Sequence, residues 1–359
     1  MSELLSPAEA KKRSVEIDKM LRDDARQHAD TRRILLLGTS ESGKSTVLKQ
    51  MRLIANESLI EGEPGRRWLH TLQLNVVRGV VELIAGATSV GMDVPENEHT
   101  LLLGSLDPSK LAGTPIPMPE EWREAVLAVY NSPFLALAFT RRHEFSVIDN
   151  SSYWYPQVPR IMEANARLTN EDVINARLET MGCSETRLQM YGLDYKVYDV
   201  PGNRAQRHAW VPFFDDANVI LFVVATSSYD QMLPEDSSMN RLTDAMMVFE
   251  EIVNNKLLDK TAIILFLNKI DLLREKFDAT ELVAHFPDYA PSERKEDDRV
   301  EHALRFMAKK FYFLNKVKER KLYVHNTCAT DTKQARVLLA TVNKIVIKLN
   351  LQNVRSNLL

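Results

Sequence analysis

The sequence predicts an α/β fold, in which helices cover a mostly parallel β-sheet and one all-helical segment interrupts the pattern. Three observations predict this class: short apolar runs recur along the chain, apolarity within each run is continuous, and the runs stop over one long segment. Continuous apolarity is typical of strands that are buried on both faces. The predicted strands span residues 34–37, 197–200, 219–225, 262–267 and 322–325.

The interruption lies between about residues 57 and 171, where we predict an all-helical domain. Leu72, Val76 and Val80 repeat at the spacing of one helix face, and Trp122 belongs to a second such helix. Prolines precede the Trp122 helix and indicate a loop that leads into it. The insertion is therefore expected to have a helical core of its own.

The segments on either side, residues 31–56 and 172–359, are predicted to form one α/β domain around the sheet. Residues 1–30 precede it and are predicted to form a separate N-terminal helix. Ser6 supplies an N-cap hydroxyl for that helix, and Pro7 occupies its first position. Because the helix is heavily charged and has only a thin apolar seam, it is either solvated or docked on a partner.

Bulk composition excludes several classes of protein. The chain has 359 residues, 45% hydrophobic and 26% charged, which is ordinary for a soluble protein of two domains. A net charge of -3 does not favour nucleic acid as a partner. Cys183 and Cys328 are too few for a disulfide framework and fit a reducing cytosolic compartment. Neither a signal peptide nor an apolar run of about 18 residues is found, so we expect a protein that is neither secreted nor membrane-spanning.

Residues 38–45 read GTSESGKS and carry the strongest chemical signal. They follow the first predicted strand and precede a segment of helical periodicity, which is the context of a phosphate-binding loop. The amides of such a loop surround phosphate oxygens, while Lys44 reaches the β- and γ-phosphates and the Ser45 hydroxyl binds Mg²⁺. The sequence therefore predicts a site for a nucleoside triphosphate with Mg²⁺.

Residues 268–271 read NKID at the end of another predicted strand, and they identify the base. The Asp271 carboxylate can accept hydrogen bonds from the N1–H and 2-amino groups of guanine, which adenine does not offer. A site built on such bonds discriminates strongly, because a wrong base leaves buried polar groups unpaired. GTP is therefore predicted. The alternative, a P-loop kinase or ATPase, would require ATP to compete with GTP.

Residues 199–202 read DVPG at the end of the predicted strand at 197–200 and supply a third nucleotide motif. Asp199 can hold a water of Mg²⁺, and the Gly202 amide can meet the γ-phosphate. Three nucleotide motifs thus follow predicted strands.

With these motifs in place, the whole chain resembles the heterotrimeric G-protein alpha subunit family. The matching stretches are residues 35–51, 172–180, 199–210, 235–241, 266–271 and 327–332. The resemblance implies a Ras-like, doubly wound P-loop GTPase domain with an inserted helical domain, which small GTPases lack. It also implies a switch between GTP and GDP that transduces signals from transmembrane receptors.

The resemblance assigns roles to individual residues. Arg177 and Asn203 are the implied catalytic residues: Arg177 places positive charge on the γ-phosphate, and Asn203 orients water. Ser45 and Thr180 are the implied Mg²⁺ ligands, and Glu41 pairs with Arg177. The implied nucleotide-binding residues are Glu41, Ser42, Gly43, Lys44, Ser45, Thr46, Asp149, Asn150, Ile174, Asn175, Ala176, Arg177, Asp199, Gly202, Asn268, Lys269, Asp271, Cys328 and Ala329.

Three positions depart from the family pattern. Asn203 stands where the family has glutamine and is one methylene shorter, while Ser40 and Pro201 each replace a glycine. A carboxamide set back from the water and a side chain crowding the transition state both predict slow hydrolysis. Two alternatives remain: the site is repacked around these changes and has ordinary activity, or hydrolysis is negligible and nucleotide exchange alone controls the switch.

The resemblance also implies partners: a beta-gamma dimer at the N-terminal helix and residues 204–210, a seven-transmembrane receptor at the C terminus, and an effector. The expected location is cytoplasmic, peripheral at the inner face of the plasma membrane. Residue 2 is Ser2, and no cysteine lies in the first 182 residues, so no acceptor for N-terminal lipidation is evident.

Overall fold

A computed structural model describes most of the chain. It covers Arg13, Lys19 and residues 31–356 except 62, 113–115, 146, 234, 260, 292–295 and 318, with backbone alone at 63–64, 112, 296–298 and 349–356. The predicted N-terminal helix therefore lies outside the described residues except at Arg13 and Lys19, which are helical and exposed.

The α/β class and the mostly parallel sheet are confirmed. Six strands form one sheet in the order β2-β3-β1-β4-β7-β8, in which only β2 runs antiparallel to its neighbour, and β5 and β6 form a separate antiparallel pair. The strands are β1 (Arg32–Leu37), β2 (Ser184–Met190), β3 (Leu193–Asp199), β4 (Val219–Ala225), β5 (Met232–Leu233), β6 (Asp236–Asn240), β7 (Ala262–Asn268) and β8 (Leu322–Asn326).

All five predicted strands are present, but β2, β5 and β6 were not predicted. Strand β2 lies at the edge of the sheet and alternates exposed with buried residues at its end, so it lacks the continuous apolar run of a central strand. The predicted strand at 197–200 is only the buried end of β3, whose first half carries Asp194 and Lys196.

Helices follow most of the strands. They are α1 (Lys44–Ile54), α2 (Glu63–Ser89), α3 (Glu98–Gly104), α4 (Glu120–Tyr130), α5 (Pro133–Thr140), α6 (Ser151–Trp154), α7 (Val158–Ile161), α8 (Asn170–Asn175), α9 (Arg241–Val253), α10 (Ile270–Lys276), α11 (Ala279–His285), α12 (Glu296–Leu314) and α13 (Thr332–Ser356). A 3₁₀ helix spans Arg204–Phe213.

The sheet is covered on both faces, and β1 shows how. Ile34 and Leu36 point into a core shared with α1 and α13, while Leu35 and Leu37 point into a core shared with α9 and α12. All four side chains are almost fully buried. This two-sided burial explains the continuous apolar runs and leaves the carboxyl ends of the parallel strands free to form a site.

Helices α2 to α7 pack around a separate apolar core. Trp154 is fully buried there and lies so close to α2 that a Cβ on Gly79 would stand 2.0 Å from its ring. Helix α8 contributes Val173 and Ile174 to a small cluster that joins this part to α1. The exact boundaries at residues 57 and 171 stay predictions. None of the helices in the described part of the chain combines the length and apolarity that crossing a bilayer requires.

Candidate functional site

A cleft of about 730 Å³ lies between the carboxyl edge of the sheet and the helical insertion. The loops after β1, β3, β7 and β8 form one wall, as is usual for ligand sites in open α/β sheets. The predicted site residues that line it are Glu41, Gly43, Lys44, Ser45, Thr46, Asp149, Asn150, Ile174, Asn175, Ala176, Arg177, Thr180, Gly202, Asn203, Asn268, Lys269, Asp271, Cys328 and Ala329. Ser42 and Asp199 lie behind the wall and support it.

The loop after β1 takes its shape from two glycines. Gly38 has a φ of +140° and Gly43 a φ of +102°, a region that side-chain-bearing residues rarely adopt. A Cβ on Gly38 would lie 2.1 Å from the carbonyl oxygen of Val223, and one on Gly43 would lie 2.3 Å from Nδ2 of Asn268. The loop therefore folds tightly against β4 and β7 and turns its backbone towards the cleft.

Lys44 is buried within this loop. Its Nζ donates to the carbonyl oxygens of Gly38, at 3.0 Å, and Thr39, at 2.9 Å. Burial, with smaller effects of the cations Arg207 and Lys269, lowers the pKa of Lys44 to about 8. An anionic group in the cleft would offset this loss of solvation and stabilise the charged form, as phosphate does.

Ser45, Thr180 and Asp199 bring three side-chain oxygens together. Ser45 Oγ donates to Asp199 Oδ2 at 2.7 Å and lies 2.8 Å from Thr180 Oγ1. Asp199 is 3% exposed, burial raises the pKa of its carboxyl, and its Oδ1 has no hydrogen-bond partner among the described residues. A buried oxygen without a partner is costly, and hydroxyl and carboxylate oxygens suit Mg²⁺. These residues therefore fit a Mg²⁺ ion.

Arg177 reaches across the cleft to the loop after β1. It forms an ion pair with Glu41, whose other oxygen lies 2.9 Å from Nη2 of Arg241. The same nitrogen of Arg241 donates to the carbonyl of Ser40 at 3.1 Å. Burial and then the charge of Arg241 lower the pKa of Arg177 to about 10. One carboxylate thus serves two arginines, and the excess positive charge favours an anionic ligand.

Asn268 and Lys269 hold the walls together at one end of the cleft. Asn268 Nδ2 donates to the carbonyl of Ser42 at 2.8 Å, and its Oδ1 accepts from the amide of Ala329 at 3.0 Å. Asn268 is therefore a tie between two loops. Lys269 pairs with Asp149 of the helical insertion at 2.5 Å and closes the cleft from the other side.

Asn203 lies in the wall of the cleft, and its side-chain oxygen accepts a hydrogen bond from the backbone of the same segment. Its Oδ1 accepts the amide hydrogen of Ala205 at 3.0 Å and caps the 3₁₀ helix that begins at Arg204. Asparagine is among the best residues for this cap, and the bond is local. The carbonyl of the preceding Pro201 accepts from Nε1 of Trp210 at 2.8 Å. The segment is thus held by hydrogen bonds within itself, and one of them uses Oδ1 of Asn203.

Sequence reasoning missed several residues around the cleft. Arg241 and Arg207 line it, and Arg207 also pairs with a buried carboxylate of α9. Lys49 lies four residues after Ser45 on α1, a spacing that could have revealed it. Asn75, on α2, bonds the backbone of Arg177. In the sequence it is marked only as a polar residue among the apolar residues of a predicted helix.

Comparison with known proteins identifies the family of this chain. Residues 11–346 match the family described as G-protein alpha subunit. The chain is 34% identical to a guanine nucleotide-binding protein subunit alpha of Emericella nidulans, over 96% of both chains. It is 34% identical to a G-protein complex alpha subunit of Aspergillus fumigatus and 33% to a guanine nucleotide-binding protein alpha-1 subunit of Neurospora crassa, also over 96% of each chain. The chain therefore belongs to the family of G-protein alpha subunits.

Proposed function

We propose that this alpha subunit hydrolyses GTP slowly and stays GTP-loaded for longer than an ordinary member of its family. As a member it is a GTPase that switches between GTP and GDP and transduces receptor signals. The observation that carries the proposal is the cap formed by Asn203, whose carboxamide oxygen is bonded to Ala205 instead of pointing freely into the cleft.

GTP would lie with its phosphates in the loop after β1 and its base against Asp271. The amides of residues 41–46 would surround the β-phosphate, and Lys44 would bridge the β- and γ-phosphates. The tie made by Asn268 and the Lys269–Asp149 pair would hold the walls against the nucleotide. These assignments rest on the cleft geometry and on the order of the motifs.

Mg²⁺ would be held by the hydroxyls of Ser45 and Thr180, with Asp199 accepting a hydrogen bond from one of its waters. The unpartnered Asp199 Oδ1 and the close approach of the two hydroxyls support this. When bound, the ion would neutralise charge on the phosphate oxygens. Thr180 also ties the segment after Arg177 to the site.

Hydrolysis would depend on two side chains. Arg177 would donate to the γ-phosphate oxygens, for which it must be released at least in part from Glu41. Asn203 would orient the attacking water by accepting a hydrogen bond from it at Oδ1, the atom that already accepts the amide hydrogen of Ala205. The Asn203 side chain is one methylene shorter than the glutamine of the family, so its carboxamide would lie further from the water. A misplacement of about 1 Å can lower a rate on the order of 100-fold. Ser40 also lines the cleft and adds a side chain where the family has glycine.

A second candidate is a switch with negligible hydrolysis that nucleotide exchange controls. The Asn203 cap favours it, and the position of Arg177 against the phosphate loop opposes it. The rate of a single turnover distinguishes the two. Alpha subunits with their arginine in cis typically hydrolyse GTP at about 10⁻² s⁻¹. A measurable rate well below this value supports slow hydrolysis, and no measurable rate supports the switch controlled by exchange.

The family relationship also supports a beta-gamma dimer, a receptor and an effector as partners, and a peripheral position at the cytoplasmic face of the plasma membrane. Residues 204–210 would meet the beta-gamma dimer. Much of this segment is solvent-exposed in the structure, including Arg204 and His208.

Replacing Thr180 with alanine is expected to weaken the Mg²⁺ dependence of GTP binding more than that of GDP binding. The reason is that the γ-phosphate is what draws the Thr180 segment onto the site. Thermal unfolding with each nucleotide, with and without Mg²⁺, measures this, because a ligand at 100 times its Kd stabilises by about 2.7 kcal/mol. Thr330→Ala, also in the cleft wall, is the matched control. Equal losses with GTP and GDP would contradict the assignment.

A further inference from the structure

The main chain of Arg177 is held by one side chain of the helical insertion. The amide of Arg177 donates to Asn75 Oδ1 at 2.6 Å, and Asn75 Nδ2 donates to the carbonyl of Arg177 at 2.9 Å. Asn75 lies on α2, is 4% exposed, and does not line the cleft. Both ends of this buried amide thus bond the backbone of one residue, and Oδ1 also accepts a longer bond, at 3.5 Å, from Nδ2 of Asn150.

A second contact reaches the same segment from another helix, α1. Lys49 lies on α1, directly after the phosphate loop, and its Nζ donates to the carbonyls of Val173, at 2.9 Å, and Ala176, at 2.6 Å. These carbonyls end α8, where the helix dipole favours a cation. The ring of Trp68 covers the ammonium, with its centroid 4.4 Å from Nζ. The peptide before Arg177 is therefore fixed to the α/β part.

We propose that Asn75 and Lys49 are positioning residues that together set the location of the catalytic arginine, Arg177. The inference rests on the hydrolytic role proposed above for Arg177. Because one residue belongs to the helical insertion and the other to the helix after the phosphate loop, Arg177 reaches its working position only while the insertion is closed on the α/β part. Closure would thus both retain the nucleotide and permit hydrolysis.

The contacts that Asn75 and Lys49 make around Arg177 form a clamp on its backbone. The need for this clamp follows from the forces on the guanidinium. Glu41 attracts Arg177, and Arg241 competes for the same carboxylate while repelling Arg177. Fixing the backbone sets the point from which this long side chain extends, so only its rotamer is left to the balance of these forces. An error of about 1 Å at the reacting group costs on the order of 100-fold, so a loosened backbone has a large effect on rate.

Asn75→Ala is the direct test, and the chain offers a matched control. Gln73 lies on the same helix, is 1% exposed, and donates to two backbone carbonyls at 3.0 Å, those of Ile161 and Glu163, away from Arg177. Asn75→Ala is expected to slow single-turnover hydrolysis of γ-labelled GTP by about 10- to 100-fold, with the Kd for GTP changed by less than about threefold. Gln73→Ala is expected to leave the rate of single-turnover hydrolysis within about threefold of that of the protein without the substitution.

A double-mutant cycle separates positioning from general destabilisation. The parent is the faster of the wild type and the Asn203→Gln protein, so that losses stay measurable. In a protein that already carries Arg177→Ala, Asn75→Ala should not lower the hydrolysis rate further. Lys49→Met, which keeps the aliphatic stem, should likewise slow hydrolysis in the parent but not in the Arg177→Ala protein.

Equal slowing by Asn75→Ala in the presence and absence of Arg177, or slowing matched by Gln73→Ala, would overturn the clamp while leaving the role of Arg177 intact. No slowing by Asn75→Ala when Arg177→Ala itself slows hydrolysis would have the same meaning. If Arg177→Ala leaves the rate unchanged, the catalytic role fails and the clamp fails with it.

Discussion

Replacing Arg177 with alanine is expected to lower single-turnover GTP hydrolysis by about 10³-fold, because an arginine on the transferring phosphoryl group is worth 10³ to 10⁵ in general. The guanidinium lies against the phosphate loop through Glu41, where it can stabilise charge that develops in the transition state. The Kd for GTP is expected to change far less, since Lys44 and the loop amides remain. Release of labelled phosphate from preloaded GTP measures the rate, again in the faster of the wild type and Asn203→Gln.

Arg141→Ala is the matched control for this loss. Arg141 pairs with Glu144 on the surface of the helical insertion and does not line the cleft. Its removal should leave hydrolysis unchanged. A parallel fall of hydrolysis and GTP affinity in Arg177→Ala would instead mean that the arginine only binds the nucleotide.

Replacing Asp271 with asparagine is expected to weaken GTP binding by on the order of 10³-fold or more, because a site built for a hydrogen-bonding pattern rejects a mismatch by 10⁴ to 10⁵. The new amide would set a donor against the N1–H and 2-amino donors of guanine. Xanthosine triphosphate, which carries a carbonyl in place of the 2-amino group, should then bind better than GTP. Competition between the two nucleotides at equilibrium measures the change.

Asp331→Asn is the control for base recognition. Asp331 also lines the cleft, but its carboxylate accepts from the amides of Lys333 and Gln334 at the start of α13, a role that asparagine can fill. It should keep its preference for GTP. Unchanged preference in Asp271→Asn would show that other groups read the base.

The fold was predictable where burial is two-sided. Strands β1, β4 and β7 have helices on both faces, so their sequences contain continuous apolar runs that can be recognised as buried strands. Strand β2 was missed because it is an antiparallel edge strand that exposes alternate residues. Strand β5 was missed because it has only two residues, and β6 because it is mostly polar; the two pair with each other and not with the main sheet.

The site was predictable where its residues are contiguous in sequence. Each strand end brings a short motif to the cleft, and the motif carries its own chemical signature. Asn75 and Arg241 come from separate helices, and their contacts with the Arg177 backbone and with Glu41 join residues far apart in sequence, so no local pattern reveals them. Lys49 also acts at a distance in sequence, on Val173 and Ala176, and only its spacing from Ser45 hinted at it. The cap formed by Asn203 was equally hidden, because it depends on the turn that follows β3.

Single-turnover hydrolysis of preloaded γ-labelled GTP with Mg²⁺ tests the central claim most directly, by comparing the wild type with Asn203→Gln, Ser40→Gly and the double variant. The account predicts a wild-type rate below about 10⁻³ s⁻¹, increased by each substitution and most by both, towards the general value of about 10⁻² s⁻¹ for alpha subunits. A wild-type rate near 10⁻² s⁻¹ that neither substitution changes would contradict the account, since the site would then be repacked for ordinary hydrolysis.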